Sequence, residues 1–190
     1  DVESVKVLLD AGAEMEAIDT YRGATALLWA SEQNHAGVVQ LLVERGAKLN
    51  ARTRTTVAEG RRGPATPEGG LTALMLATRE GGIDTVKVLL AAKALVNQQA
   101  AGGHTALLTA VQNADVAIAN LLIDNGADVS LANDKGWNPL YMAVKMRSLE
   151  KGTMPNPVID LDGMYGVIEQ LLAKGANVNA RLNADTEVHN

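Results

Sequence analysis

The sequence predicts an all-α solenoid built from short helix-turn-helix repeats that stack on one another. Two recurring segments carry this prediction. The first contains two consecutive leucines and ends in glycine-alanine. The second is a predicted helix start that precedes each complete copy of the first. The composition agrees, because 47% of the 190 residues are hydrophobic although phenylalanine is absent and only five residues are aromatic. A core of alanine, leucine and valine suits thin layers of closely packed helices.

The period follows from five copies of the leucine-leucine segment. The spacings between their glycine positions, one of which holds lysine, are 34, 47, 33 and 49 residues. One unit of 33 residues explains all four spacings if two of the units carry insertions. The copies lie at residues 8–13, 41–47, 89–94, 121–127 and 171–176.

Each complete unit opens with a predicted helix start. Glycine permits the positive φ of a tight turn, threonine or asparagine offers an oxygen to the free amides of the first helical turn, and alanine or proline suits the next position. A short first helix follows. The four starts lie at residues 23–27, 70–74, 103–107 and 136–140.

A second helix follows each first helix after a short break. Its apolar residues fall at i, i+3 and i+4, as in Val39, Leu42 and Val43, which places them on one helix face. A glycine ends this helix in the left-handed conformation, but Lys93 occupies that position in the third copy. A non-glycine residue there carries roughly 1 kcal/mol of strain, so the unit that ends at Lys93 is predicted to be the weakest.

These residues resemble an ankyrin array, a family with a 33-residue period and a Thr-Pro-Leu-His-x-Ala motif. The resemblance implies an ankyrin-type α-solenoid of about five helix-turn-helix repeats with short β-turn or hairpin connections. Three units have alanine in place of the family's proline, and the family's histidine is replaced by Leu28, Met75, Leu108 and Tyr141. Because that histidine bridges neighbouring repeats, its loss exchanges polar contacts for packing. The pattern resembles arrays of environmental bacteria more than designed consensus arrays.

The whole chain, residues 1–190, is predicted to form one such solenoid. No polar capping repeat is evident at either end, so we expect a fragment of a longer polypeptide or degenerate caps. By register, the units are a partial repeat 1–18, a repeat 19–52, a repeat 53–99 with an inserted loop 53–70, a repeat 100–132, a repeat 133–181 with an inserted loop 148–166, and a tail 182–190.

The first inserted loop is rich in arginine, threonine, glycine and proline, so we predict an exposed and partly mobile finger. Residues 52–70 carry a net charge of +2 and form the only basic segment of a chain whose net charge is −5. One hypothesis is a contact with an anion or an acidic partner through Arg61 and Arg62. The other is a solvated loop whose charges keep it soluble.

The second inserted loop contains Pro155 and Pro157 followed by Val158, Ile159 and Leu161. The prolines favour an extended course and the apolar residues need cover. We therefore predict that this loop folds back along the edge of the stack, with a partner-recognition loop as the alternative.

The sequence offers no evident catalytic or metal-binding set. The absence of cysteine excludes disulfides, a thiolate nucleophile and a cysteine-ligated zinc site. None of His35, His104 and His189 shares a helix face with a carboxylate at metal-ligand spacing. The glycine-rich segments 60–63 and 102–105 lack the spacing and the Lys-Ser/Thr ending of a phosphate loop. We therefore predict no enzyme activity, no cofactor and no metal.

Charge and composition argue against two further kinds of partner. An acidic chain with five aromatic residues offers neither a phosphate-tracking stripe nor a base-stacking platform for nucleic acids. It also lacks a long apolar stretch, a signal-peptide start and a basic amphipathic helix, so we expect no membrane contact. We expect a soluble chain that is monomeric or part of a longer chain, in an undetermined compartment.

Recognition through a surface remains as the predicted function. In stacked repeats the turn tips and the outward positions of the first helices line one concave face and are free to vary. Trp137 at a turn has the character of an interface anchor, together with Tyr21 and Arg22; alternatively, it packs on the neighbouring turn. Trp29 and Tyr141 are predicted to pack between repeats. The register assigns to the concave face Tyr21, Arg22, Glu32, Gln33, Arg79, Glu80, His104, Gln112, Asn113, Asp134, Lys135, Trp137, Lys145 and Met146.

We therefore predict a non-enzymatic module that binds a protein or peptide on its concave face. The alternative is an accessory spacer or docking array of a larger protein that carries its activity elsewhere, since a fold by itself does not determine a function.

Overall fold

A computed structural model gives the structure of the chain and describes residues 1–58, 66–148 and 160–180. The described residues form nine α-helices, a 3-10 turn at Ala101–Gly103 and one two-stranded antiparallel sheet. They divide into two compact units, Asp1–Gly102 and Gly103–Asn190. This helical content confirms the predicted all-α class.

The described residues of the first unit form five helices and the sheet. Its helices are α1 (Val2–Asp10), α2 (Ala26–Glu32), α3 (Ala36–Glu44), α4 (Ala73–Arg79) and α5 (Ile83–Ala91), and its strands are β1 (Thr56–Ala58) and β2 (Thr66–Glu68). The second unit contains α6 (Ala106–Gln112), α7 (Val116–Asp124), α8 (Pro139–Ser148) and α9 (Leu161–Ala173).

The first helix of each complete repeat begins where the sequence predicted. The side-chain oxygens of Thr25, Thr72 and Thr105 accept from the backbone N–H three residues on, at 3.4, 3.3 and 3.1 Å. Asn138 does the same for the N–H of Tyr141 at 2.8 Å. Each cap satisfies one amide of the first turn that has no partner inside the helix.

The second helices end in left-handed residues, also as predicted. Gly12, Gly46, Gly126 and Gly175 have φ values of 85 to 88°. Lys93 follows α5 at the same position with φ of 69°, and the next N–H, that of Ala94, donates to the carbonyl of Leu89 at 3.0 Å. The repeat thus imposes on Lys93 a backbone conformation that favours glycine.

The core of the first unit lies between consecutive repeats. Helix α2 packs on α3 and α4, and α3 packs on α1 and α5. Leu28, Val39, Leu42 and Leu76 are fully buried at these contacts. Helix α1 has no first helix packed on it in residues 1–58, and its Leu8 is 58% exposed.

The second unit is built in the same way. Helix α6 packs on α7 and α8, and α9 packs on α7 and α8. Leu108, Ile118, Leu122, Met164 and Leu171 are fully buried there. Leu108 occupies a position where the family has histidine, so packing area replaces a polar contact, as the sequence implied.

The first inserted loop has an ordered base. Strands β1 and β2 pair antiparallel, with Val57 opposite Pro67. The N–H of Thr53 donates to the carbonyl of Leu71 at 3.0 Å, and the hydroxyl oxygen of Thr53 accepts from the N–H of Leu71 at 3.0 Å. The predicted contact residues Arg61 and Arg62 lie outside the described residues, so their role stays a prediction.

The predicted extent of the second inserted loop, 148–166, is wrong at both ends. Ser148 belongs to α8, and α9 begins at Leu161. Asp160 caps α9 by accepting from the N–H of Gly163 at 2.8 Å, and Met164 lies on the same buried face as Leu171. The cap and the apolar spacing therefore extend the helix by two turns despite two glycines. Pro155, Pro157 and the Val158–Ile159 pair lie outside the described residues.

Candidate protein-interaction surface

Three charged side chains meet in the first unit: Glu32 on α2, Arg79 on α4 and Arg22 in the turn before α2. The guanidinium of Arg22 binds the Glu32 carboxylate through both terminal nitrogens, one of them at 2.9 Å. Arg79 on α4 donates to the same carboxylate at 2.6 Å. Because the Glu32 side chain is only 11% exposed, it serves as an internal bridge between two repeats.

The electrostatics of this cluster follow from the shared carboxylate. The hydrogen bond from Arg22 holds the pKa of Glu32 below its usual range, and the charge of Arg79 adds to the effect. The same contact raises the pKa of Arg22. Glu32 is therefore ionised at neutral pH, and its assignment to a partner-binding face is corrected to a mainly internal role.

Aromatic side chains surround this cluster. Tyr21 at the hairpin tip is 82% exposed and Trp29 on α2 is 43% exposed. The Arg22 guanidinium lies 5.1 Å from the centre of the Trp29 ring, and the indole N–H donates to Asp19 at 3.1 Å. Helix α2 packs on α3 and α4, and the prediction that Trp29 packs between repeats stays a prediction.

A buried asparagine organises the corresponding hairpin in the second unit. The side-chain oxygen of Asn133 accepts from the N–H groups of Lys135 and Trp137, each at 3.0 Å. The backbone N–H of Asn133 donates to the carbonyl of Trp137 at 3.0 Å. The N–H of Gly136 donates to the backbone carbonyl of Asn133 at 2.8 Å, so the turn that carries Lys135 and Trp137 is held by four hydrogen bonds to one residue.

Trp137 lies half-buried under two lysines of its own repeat. The ammonium groups of Lys135 and Lys145 lie 5.1 and 4.3 Å from the centre of its ring. The ring of Tyr141 lies 6.1 Å away at an interplanar angle of 33°. The indole N–H of Trp137 is buried without a protein hydrogen-bond partner. Trp137 therefore forms a cationic aromatic cluster with Lys135, Lys145 and Tyr141.

His104 borders this hairpin. Its Nε2 lies 3.4 Å from the side-chain nitrogen of Asn133. Burial lowers the pKa of His104, the charge of Lys135 lowers it further, and Asp134 acts in the opposite direction. A neutral imidazole with Nε2 as acceptor fits this environment.

The other residues of the predicted face divide by exposure. Met146 is only 8% exposed, so its assignment to a partner-binding face is wrong; α8 continues to Ser148 and turns Met146 into the core. The rest are exposed, and they are Gln33, Arg79, Glu80, Gln112, Asn113 and Asp134.

A groove of about 360 Å³ lies between α8 and α9 and extends to the segment after α9. Leu140, Val144, Ile168, Leu172 and Val178 line most of it, and none of the described residues that line it is a carboxylate, a histidine or a lysine. In residues 1–58, 66–148 and 160–180, no three histidine or acidic side chains come close enough together to hold a metal ion. Within the same ranges, no helix is both long and apolar enough to cross a bilayer.

The ion pair between Glu32 and Arg79 is not among the predictions made from the sequence, although the repeat spacing indicates it. Thr25 and Thr72 are 47 residues apart, as are Glu32 and Arg79, so the latter two occupy the same position in consecutive repeats. Side chains at such positions are neighbours in a stack. Their opposite charges therefore predict an ion pair across the repeats.

Comparison with known proteins agrees with the repeat architecture. A family model described as "Ankyrin repeats (3 copies)" matches residues 1–100 and 74–153. A protein of fowlpox virus named as an ankyrin repeat protein, FPV031, is 31% identical over 160 residues, which cover 84% of this chain and 39% of that protein. The Escherichia coli protein YahD, also named as an ankyrin repeat protein, is 30% identical over 175 residues, 92% of this chain and 79% of that protein.

A protein of Dirofilaria immitis named L-asparaginase is 27% identical over 165 residues. That match covers 77% of this chain but 28% of that protein. The chain therefore spans well under half the length of both the fowlpox virus protein and the Dirofilaria immitis protein.

Proposed function

We propose, for a chain that belongs to the ankyrin repeat family, a non-enzymatic function as a module that binds a protein or peptide partner. Ankyrin repeats generally mediate protein–protein interaction. The observation that carries the proposal is the placement of Tyr21 and Trp137, which lie at hairpins and are exposed and half-buried, respectively. The ammonium groups of Lys135 and Lys145 lie on the Trp137 ring. Aromatic and arginine side chains are the types enriched at protein interfaces.

The proposed contact surface consists of the hairpin tips and first helices, the face that the sequence predicts to be concave. In the first unit it includes Tyr21, Gln33 and Arg79. In the second unit it includes Lys135 and Trp137. Arg79 lies on α4, and the other four residues lie in the turns directly before or after α2 and α8. These helices are packed in the core and Asn133 fixes the hairpin of Lys135 and Trp137 by hydrogen bonds, so little ordering of these side chains' backbone is needed on binding.

The absence of enzymatic activity is part of the proposal. The family is typically non-enzymatic, and the groove between α8 and α9 has a mostly apolar lining that offers no acid–base pair or nucleophile with a base. Turnover of any substrate by residues 1–190, abolished by a single substitution, would contradict this.

The test compares two substitutions on the proposed surface with one substitution of an exposed tyrosine outside it. A partner is first captured by crosslinking in the source cells and identified, and its affinity is then measured for Tyr21→Ala, Trp137→Ala and Tyr165→Ala. Tyr165 is a matched control because it is 50% exposed but lies on α9, a second helix outside the proposed surface. We expect the first two substitutions to weaken binding about tenfold or more and the third to leave it unchanged. Unchanged affinity for both Tyr21→Ala and Trp137→Ala would refute the assigned surface.

A second candidate is an accessory docking array in a larger protein. It is favoured by the partial coverage of the fowlpox virus protein and of the Dirofilaria immitis protein. The sequence of the full gene product distinguishes the two candidates. An adjoining catalytic domain favours the docking array, whereas closing repeats favour the independent binding module.

A further inference from the structure

One buried asparagine of the second unit contacts two different partners. The side-chain oxygen of Asn133 accepts from the N–H groups of Lys135 and Trp137, each at 3.0 Å, and the residue is only 5% exposed. An amide nitrogen cannot accept a hydrogen bond, so these two contacts fix which end of the amide is the oxygen. The nitrogen lies 3.4 Å from Nε2 of His104. Asn133 therefore presents a donor to His104.

The segments that carry these two residues approach each other closely. A Cβ atom placed on Gly103 would lie 2.9 Å from the Cα atom of Asn133 and 3.0 Å from the backbone nitrogen of Asp134. The backbones thus leave no room for a side chain at Gly103. His104 follows directly, and its half-buried imidazole lies against the Asn133 amide. A change at this contact therefore acts on the hairpin of Lys135 and Trp137.

Protonation of His104 changes the role of Nε2. In the neutral ring Nε2 accepts from the Asn133 amide, whereas both nitrogens of an imidazolium are donors. Two donors then face each other. Rotation of the amide by half a turn would bring its oxygen to the imidazolium, but its nitrogen would then face the N–H groups of Lys135 and Trp137. The hairpin thus loses either its contact with His104 or the two hydrogen bonds that hold Lys135 and Trp137 in place.

The surroundings of His104 set the direction of its titration. Burial lowers the pKa of His104, the charge of Lys135 lowers it further, and Asp134 acts in the opposite direction. Helix α6, which begins just after His104, has no charged side chain, and Lys145 of α8 lies on the Trp137 ring of the hairpin. The imidazole is therefore neutral at pH 7 and becomes protonated below the ordinary histidine value of 6.5.

We propose that His104 is a positioning residue for the hairpin of Lys135 and Trp137 and releases this hairpin when its imidazole is protonated. This inference rests on the proposed binding function and names a regulation of its contact in the second unit. A neutral imidazole keeps the Asn133 oxygen on the two backbone N–H groups, so the indole is held in place for a partner. Protonation frees the hairpin, and the apparent dissociation constant then rises by the factor by which the binding-competent conformation is depleted.

The first measurement follows the hairpin directly and needs no partner. Amide and indole resonances of the 15N-labelled whole chain, residues 1–190, are recorded by NMR from about pH 7.5 to about pH 5. The chain has two tryptophans, so Trp29 supplies a reference in the first unit. We expect the backbone N–H and indole N–H resonances of Trp137 to shift with the midpoint of the His104 imidazole, below pH 6.5, while the indole resonance of Trp29 does not follow it.

Three variants separate this mechanism from a general effect of acid. His104→Gln keeps an acceptor for Asn133 but does not titrate, so the shift of Trp137 should vanish. His35→Gln is the matched control, since His35 is an exposed histidine of the first unit, and it should leave the shift unchanged. Asn133→Asp keeps one oxygen for the two backbone N–H groups and offers a second oxygen to His104, so the midpoint of His104 should rise above that of wild type.

Binding is tested with dodecapeptides that are selected from a random display library at about pH 7.5 and lose their binding to Trp137→Ala. If the library yields none, the captured protein partner replaces them. We expect affinity to fall about tenfold or more between about pH 7.5 and about pH 5.5 for wild type and His35→Gln, and less than about twofold for His104→Gln.

Two kinds of failure are distinguishable. A Trp137 resonance that does not follow His104, or equal weakening by acid in wild type and His104→Gln, overturns this inference and leaves the binding function standing. A library without a peptide sensitive to Trp137→Ala, together with a captured partner whose affinity neither Tyr21→Ala nor Trp137→Ala changes, overturns both.

Discussion

Replacing Lys93 with glycine should stabilise the first unit, because Lys93 is held in the left-handed conformation by the repeat. Its φ of 69° compares with 85 to 88° at Gly12, Gly46 and Gly126, which hold the equivalent place after the other second helices. Both flanking N–H groups are engaged: that of Lys93 donates to Leu90 at 2.9 Å and that of Ala94 to Leu89 at 3.0 Å. The backbone cannot leave this conformation without losing these bonds.

The expected magnitude is the difference of two backbone effects. Relief of left-handed strain stabilises by roughly 1–2 kcal/mol. The greater freedom of glycine in the unfolded chain offsets about 0.4–1 kcal/mol of this gain. The Lys93 side chain is exposed, so its removal adds little. We therefore expect Lys93→Gly to raise the free energy of unfolding by about 0.5–1 kcal/mol.

The assay is urea unfolding followed by circular dichroism, with two comparison variants. Ala92 precedes Lys93 and has a right-handed φ of −75°, so Ala92→Gly should destabilise by about 0.5–1 kcal/mol. Gly126→Lys makes the reverse change in the second unit; no heavy atom lies within 4 Å of a Cβ placed there, so its loss of about 0.5–1 kcal/mol should come from the backbone alone. If Lys93→Gly lowers stability as Ala92→Gly does, the strain assigned to Lys93 is refuted.

Three further outcomes are expected. Glu32→Gln removes the carboxylate shared by Arg22 and Arg79, and it should lower the free energy of unfolding at pH 7 by about 1–2 kcal/mol; an unchanged urea midpoint would contradict the bridging role. Because the folded pKa of Glu32 is lowered, its stabilisation is present above the ordinary pKa of a glutamate and is lost as the pH falls through the folded value, so the difference between the two proteins should shrink in acid. The folded pKa of His104 is also lowered, so the unfolded chain binds more protons and stability should fall as the pH drops below about 6.5; His104→Gln should flatten this slope, and an unaltered slope would count against burial as the cause. Leu122→Ala empties a fully buried site in α7 and should lower the free energy of unfolding by about 2–5 kcal/mol, measured by urea titration, whereas a loss below about 1 kcal/mol would show that the site collapses.

Features set by one residue and its chain neighbours were predictable. Thr25, Thr72 and Thr105 were identified as helix caps because an N-cap bond reaches only three residues along the chain. The left-handed Lys93 was identified because the repeat fixes which residue follows the second helix. Both inferences rest on local geometry, and the structure confirms both.

Features that depend on where a helix stops in a longer unit were not predictable from the repeat. The register gave Met146 the place that Gln33, the exposed residue after α2, holds in the first complete repeat, but α8 continues to Ser148 and Met146 is buried. An extra helical residue rotates the next side chain by about 100°, so a small error in the end of a helix exchanges an exposed position for a buried one. The start of α9 at Leu161 was missed for a related reason, since the family's unit places a loop there.

One position of a repeat can hold the fold together through different contacts, and the residue at that position decides which. At Glu32 the carboxylate is used internally, since two arginines from consecutive repeats donate to it. Thr25 and Asn138 are 113 residues apart, as are Glu32 and Lys145, so Lys145 holds the equivalent position in the second unit. Its ammonium group lies 4.3 Å from the centre of the Trp137 ring. An ammonium group is attracted to the face of an indole, so a cation–aromatic contact is made at this position, where the first unit makes an ion pair.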